Sequence, residues 1–221
     1  MIDKKFFYFL LPSFFLIFFL SLSLHSLHIN FLSGELGLLE STQILFIGIS
    51  LFLFIRIFQK NKTKNYLIKL IQILVCLGCF VLLGEEISWG QHYFQWNSGA
   101  IFTELNTQNE TNLHNISSWF DQKLKLLLEI GMTMISFIFP LLNKYNKKFS
   151  KYTKQNNFEL YLANFYLFYT VIIFEVVRII GYTNDVYPIF NLRFSELREF
   201  FCYYFIFLYA KELYEKIKFS K

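Results

Sequence analysis

The chain is poor in the residues that staple small domains or build the common catalytic centres. Its three cysteines, Cys76, Cys79 and Cys202, all fall inside apolar runs, so no disulfide framework is implied. Cys76 and Cys79 form a single CxxC with no second CxxC and no surrounding βαβ pattern. At i,i+3 in an apolar helix they read as small, polarizable packing residues. Histidine is scarce, and there is no HExxH and no paired ExxH for a metal. No GxSxG elbow supports a serine nucleophile, and no haem or iron–sulfur signature supports redox chemistry. Internal repeats and a soluble domain are both lacking. No A-x-A site follows the N-terminal stretch MIDKKFFYFLLPSFFLIFFLSLSLHSLH. That stretch is too long for a secretory h-region and reads as an uncleaved first span, kinked but not ended by Pro12.

Apolar residues are what the chain has in excess. Of 221 residues 55% are hydrophobic and 21% aromatic, with 30 Phe, far above a soluble domain. They cluster in runs of the length that crosses a bilayer, since about 20 helical residues span a ~30 Å hydrocarbon core. The expected fold is all-α, a polytopic transmembrane helical bundle forming one integral membrane domain over 1–221. Six spans are predicted, at 6–24, 38–58, 66–88, 122–143, 158–181 and 197–214. The last is the weakest, because Lys211, Glu212 and Glu215 crowd its end. A transmembrane barrel would show short alternating segments instead.

The net charge of +5 is not spread evenly. Lys4 and Lys5 precede the first span. Arg56, Lys60, Lys62, Lys64 and Lys69 lie around the second connection, and Lys144, Lys147, Lys148, Lys151 and Lys154 around the fourth. Lys211, Lys216, Lys218 and Lys221 close the chain. Alternate connections are basic, which puts them and both termini in the cytoplasm. The same pattern removes the case for nucleic acid, because no basic and aromatic surface tracks a phosphate backbone. Abundant Lys, Asn, Ile and Phe point to an AT-rich bacterial genome and the bacterial cytoplasmic (inner) membrane. The sequons at Asn61, Asn109 and Asn115 therefore carry no weight.

Acids and histidines collect on the opposite side. Glu35 and Glu40 lie at the start of the second span, Glu85 and Glu86 at the end of the third, and Glu129 in the fourth. Glu175 and Arg178 are in the fifth span, and Asp185, Arg193, Glu196, Arg198 and Glu199 flank the sixth. The long outer loop, about 90–121, adds His92, Glu110 and His114. Ionisable groups at membrane depth cost roughly 2.5–3.5 kcal/mol each, so they are kept where they pair or line a wet cavity. The inner halves of the spans are nearly pure Phe, Leu and Ile apart from Gln72. The distribution predicts one polar pocket open to the outside.

A regular third helix would place Glu85, Ser88, Trp89 and His92 on one face and turn Glu86 toward a neighbouring helix or Arg178. Simpler roles exist for several of these groups. Glu175 and Arg178 can pair at i,i+3, and Glu196 and Glu199 suit a helix N-terminus with Ser195 as its cap. Trp89, Trp96 and Trp119 suit an interfacial aromatic belt. A divalent metal such as Zn²⁺ could take Glu110 and His114 joined by Glu85 or Glu86 and His92, the set His92, His114, Glu86 and Glu110 being the candidate. Glu85 and His92 lie ~10 Å apart along a helix and would share an ion only if Gly90 breaks it.

The strings GEEISWGQ and NTQNETNLHN, the latter as N-x-Q-x-E-x-x-L-H-N, resemble a family of uncharacterised bacterial multi-pass membrane proteins. GELGLLE and SELREF belong to the same pattern, which covers residues 34–200. Here Leu36 follows Glu35, where an acid pair is usual. The resemblance marks the site and implies no particular reaction.

Two classes of function follow. The first is an envelope hydrolase or transferase acting on a membrane lipid or lipid-linked substrate. Glu85, Glu86, Glu110 and His114 are its catalytic candidates. Ser88, Trp89, Gln91, Asn112, Asn115, Glu129, Glu175, Arg178, Glu196 and Glu199 line its site. The second is an ion-coupled transporter using Glu129, Glu175 and Arg178 as a relay, or a non-catalytic scaffold. Against transport, no inverted repeat or pair of broken helices is visible.

Overall fold

The computed structural model describes residues 5–24, 37–61, 63–97, 99 and 118–219, and omits the side chains of His92, Leu124 and residues 118–121. Among the described residues there is no strand. Helix α1 covers Phe6–Leu24, its first turns (Phe6–Leu10) wound as a π-helix. Helices α2 (Leu38–Lys60) and α3 (Tyr66–Glu86) follow. Helix α4 runs from Ser118–Thr133 through a π-helical turn, Met134–Ile138, into Phe139–Tyr145. The short α5 (Lys147–Gln155), α6 (Phe168–Val186) and α7 (Phe194–Phe219) complete the order.

Five segments are long and apolar enough to cross a membrane: Phe6–Leu24, Leu38–Lys60, Tyr66–Glu86, Lys125–Tyr145 and Phe158–Val186. This is the pattern of a multi-pass membrane protein. The sixth expected span corresponds to α7, 26 residues long but too rich in charge to join those five.

The reason lies in where α7 sits. Phe200, Phe201, Cys202, Tyr203, Tyr204 and Phe205 are six consecutive buried residues, so the helix is covered on every side. On one flank Phe15, Phe19 and Phe46 pack edge-on against Phe200, with ring centroids 5.1–5.6 Å apart. On another, Ile47, Phe54 and Ile57 of α2 and Cys79 of α3 surround Tyr203, Ala210, Leu213 and Ile217. Val171, Phe174 and Val177 of α6 close the rest. A central helix can carry charge because its neighbours supply partners. A lipid-facing helix cannot, and the outer face of α3 is accordingly Leu67, Leu70, Ile71, Leu74, Leu77 and Phe80.

The connections separate into two ends. At one end Asn65 caps α3, accepting from the N–H groups of Leu67 and Ile68, and donates to the Asn156 carbonyl at 3.1 Å. There too Lys60 donates to Tyr214 at 2.9 Å, and Gln72 to the Tyr161 hydroxyl at 3.0 Å. At the other end the Asn191 N–H reaches the Ser23 carbonyl at 3.1 Å, and Gln43 Nε2 donates to the Glu196 carbonyl at 2.7 Å.

The lysine-rich end is more polar than an apolar inner half would be. Glu212 is buried there, accepting from Tyr8 Oη at 3.1 Å and from the Asn164 N–H at 2.8 Å, with Lys216 Nζ at 2.7 Å. These groups come from separate segments, and only the fold shows that they answer one another.

Candidate functional site

The acid pair stands where α3 stops. Ile87 still closes onto Leu83, but Ser88 (φ 45°), Trp89 (φ 54°) and Gly90 (φ 93°) then turn left-handed in succession. Left-handed backbone at two non-glycine residues costs of order 1–3 kcal/mol each and persists only where surrounding contacts impose it. The expected helical face of Glu85, Ser88, Trp89 and His92 is therefore replaced by a hook, because the helix ends at Glu86.

The hook explains the letters of the motif. It folds Trp89 back over Gly84, so closely that a Cβ on Gly84 would lie 2.9 Å from the indole Cε3 and Cζ3. Trp89 Nε1 then donates to Glu85 Oε1 at 2.9 Å, and Phe80 packs edge-on at 6.0 Å. Glu85 and Ser88 are buried, and the third left-handed position is filled by Gly90, which tolerates it. Gln91 opens a single helical turn, Gln91–Phe94, and is half-buried.

Glu86 points the other way, to α7 rather than to Arg178. The Tyr203 hydroxyl donates to Glu86 Oε1 at 2.6 Å, the length of a charge-assisted bond. Sequence reasoning did not single out Tyr203. Its one signal is position, a turn after Glu199 on the same face of α7.

A second group lies one turn away. Arg178 of α6 donates through Nη1 to both oxygens of Glu129 in α4, at 3.1 and 3.3 Å, and pairs through Nη2 with Glu175. Arg198 of α7 stands 3.8 Å from Glu129 Oε2 with its guanidinium 4.8 Å from the centre of the Phe174 ring. Its Nε is buried and has no hydrogen-bond partner among the described residues. Lys125 of α4 pairs with Glu199 of α7 at 2.7 Å. Lys125 and Arg198 complete a set in which three carboxylates face three cations. Glu199 and Tyr203 are four residues apart, ~6 Å along the axis, so α7 joins this network to Glu86. Cys202, between them, is buried.

Glu196 sits in the first turn of α7 beside Arg193, at 2.9 Å. The helix begins at Phe194, so Ser195 is already inside it rather than capping it. Glu110, Asn112, His114 and Asn115 lie outside the described residues, as do the side chains of His92 and Trp119. The proposed metal set is therefore not assembled among the described residues, where no three His, Cys, Asp or Glu side chains converge on one ion. No family profile, curated protein or solved structure matches this chain.

Proposed function

We propose that the chain is a six-span protein of the bacterial cytoplasmic membrane, α7 being the sixth span and both termini cytoplasmic. On this reading it belongs with the multi-pass proteins that carry GEEISWGQ. Its outer end would hold a site for a membrane lipid or lipid-linked substrate, with hydrolysis or group transfer as the chemistry. The observation that carries this is the strained hook after α3. It gives two adjacent carboxylates different surroundings, Glu85 buried against an indole N–H and Glu86 turned to Tyr203 at the network of α4, α6 and α7. Carboxyl groups with unlike environments are how one site supplies both an acid and a base. Glu110 and His114 would complete the constellation from the outer loop, and with Glu86 they would form a ligand set suited to a divalent cation such as Zn²⁺.

The test is turnover. Detergent-purified protein is incubated with a bacterial polar-lipid extract, and the lipids are followed by mass spectrometry. A species consumed by the wild type and spared by Glu86→Gln supports the proposal. Equal consumption by a folded Glu86→Gln variant refutes it. Metal analysis of the same preparation decides the ligand set: stoichiometric Zn, Fe or Mn must disappear in both Glu86→Ala and His114→Ala.

One observation favours a different reading. The three acids of the inter-helix network are matched by Arg178, Arg198 and Lys125, which is what a latch between helices requires. A non-catalytic scaffold would tolerate alanine at Glu85, Glu86 and His114 together.

A further inference from the structure

The opposite end of the molecule carries a cavity that the outer site does not use. It lies in the angle between α4 and α5, has a volume of about 380 Å³, and is lined by Lys144, Lys147, Lys151 and Lys154 with Asn143 and Ser150 among the polar groups. The volume is within the ~300–1,000 Å³ of small-molecule sites. No acidic residue lines it.

The cavity is built by local folding. Asn146 breaks the helix between α4 and α5 and caps α5, accepting from the N–H groups of Lys148 at 3.0 Å and Phe149 at 3.1 Å. Thr153 is buried beneath α5 and donates to Asn143 Oδ1 at 2.7 Å. Phe149 stacks on Phe139 with centroids 6.2 Å apart, and Tyr152 on Phe158 at 6.1 Å. One face of α5 is thus held against the bundle. The other presents Lys147, Lys151 and Lys154 at i, i+4 and i+7, all exposed. These three make no ion pair among the described residues. Some cations elsewhere do have partners: Lys60 meets Tyr214, Lys125 meets Glu199, and Lys216 meets Glu212.

Mutual repulsion of lysines lining one open groove is relieved by a polyanion with several acceptor oxygens. The position selects its source. Asn143 and Lys144 are in the last turn of the candidate span Lys125–Tyr145, the end at which a crossing helix would leave the hydrocarbon, with Tyr145 exposed beside them. Amphipathic basic helices at that level meet anionic headgroups.

We propose that the α4–α5 cavity is a binding site for the phosphodiester headgroup of an anionic phospholipid. It is distinct from the outer site and independent of what that site does.

The experiment is native mass spectrometry of the full chain in neutral detergent, titrated with phosphatidylglycerol or phosphatidylcholine. The wild type is expected to retain phosphatidylglycerol selectively. Lys147→Gln/Lys151→Gln should weaken that retention roughly thirtyfold, each basic residue near a membrane surface contributing about fivefold. Lys147→Arg/Lys151→Arg should keep it, which separates loss of charge from loss of fold. Lys64→Gln/Lys69→Gln, in the other basic connection, should leave it unchanged. The proposal is overturned if the wild type does not prefer phosphatidylglycerol, or if both Gln pairs weaken it equally. It is also overturned if inorganic phosphate at constant ionic strength displaces the lipid as well as phosphatidylglycerol does, since the ligand would then be free phosphate.

Discussion

Replacing Gly84 with alanine sets two effects of opposite sign against each other. In a helix, alanine is worth about 1 kcal/mol over glycine, so by local propensity Gly84→Ala stabilises α3. The new methyl would lie 2.9 Å from Trp89 Cε3 and Cζ3 and 3.0 Å from Cδ2, distances that real contacts do not reach. The indole cannot slide away freely, because its Nε1 is held 2.9 Å from Glu85 Oε1. Overpacking costs about 1–3 kcal/mol and loss of a hydrogen bond to a charged group about 1.5–3 kcal/mol. Less the propensity gain, the net expected loss is about 1.5–5 kcal/mol. The assay is thermal unfolding in detergent together with Trp89 emission in a Trp96→Phe/Trp119→Phe background. Wild-type spacing should give a higher midpoint and an emission that shifts in the Ala variant. In a Trp89→Ala background the clash is gone, and Gly84→Ala should become stabilising by about 1 kcal/mol. A stabilising Gly84→Ala with unchanged Trp89 emission would refute the hook.

Tyr203→Phe removes the donor 2.6 Å from Glu86 and should cost about 1.5–3 kcal/mol in thermal unfolding; Glu86→Gln should then cost less in that background than in the wild type. Arg178→Met and Glu129→Gln share one network, so a double-mutant cycle should give a coupling of about 0.5–3 kcal/mol, and a value near zero would show that the pair is idle. Gly181→Ala brings a Cβ to 2.9 Å from Phe194 Cβ, which sits too near the backbone to swing aside, so the α6–α7 junction should loosen and the unfolding midpoint fall. Asn146→Ala strips the cap of α5 and should lower local stability by about 1 kcal/mol, read as faster amide exchange over 147–155.

The helical class and five of the segments were legible because apolar runs of membrane length dominate the chain, and the structure forms helices there. The end of α3 was legible only in part. The sequence marks Gly90 as a place where a helix can break, but the break begins at Ile87 and bends two residues, Ser88 and Trp89, that have no intrinsic preference for left-handed backbone. The bend goes with the return of Trp89 over Gly84 and Glu85, a contact that a regular helix does not make. The central position of the charged helix α7 was not legible, because a sequence lists Lys211, Glu212 and Glu215 without their partners. Tyr8 answers Glu212 across 204 positions and Glu86 answers Tyr203 across 117, separations beyond any local pattern.

That α7 is the hub has a consequence for how the protein is made. A chain growing from its N-terminus produces α1 to α6 before the helix that holds them together. Until Phe200, Tyr203 and Tyr204 arrive, the faces of α1, α2 and α6 that pack on α7 lack that partner, although α1 meets α6 through Ser13 and Tyr169 and α4 meets α6 through Glu129 and Arg178. The earlier helices can make their contacts with one another, but not the central packing, while synthesis continues at ~5–20 residues per second. Assembly is then a late, concerted step, with contacts of high sequence separation forming together.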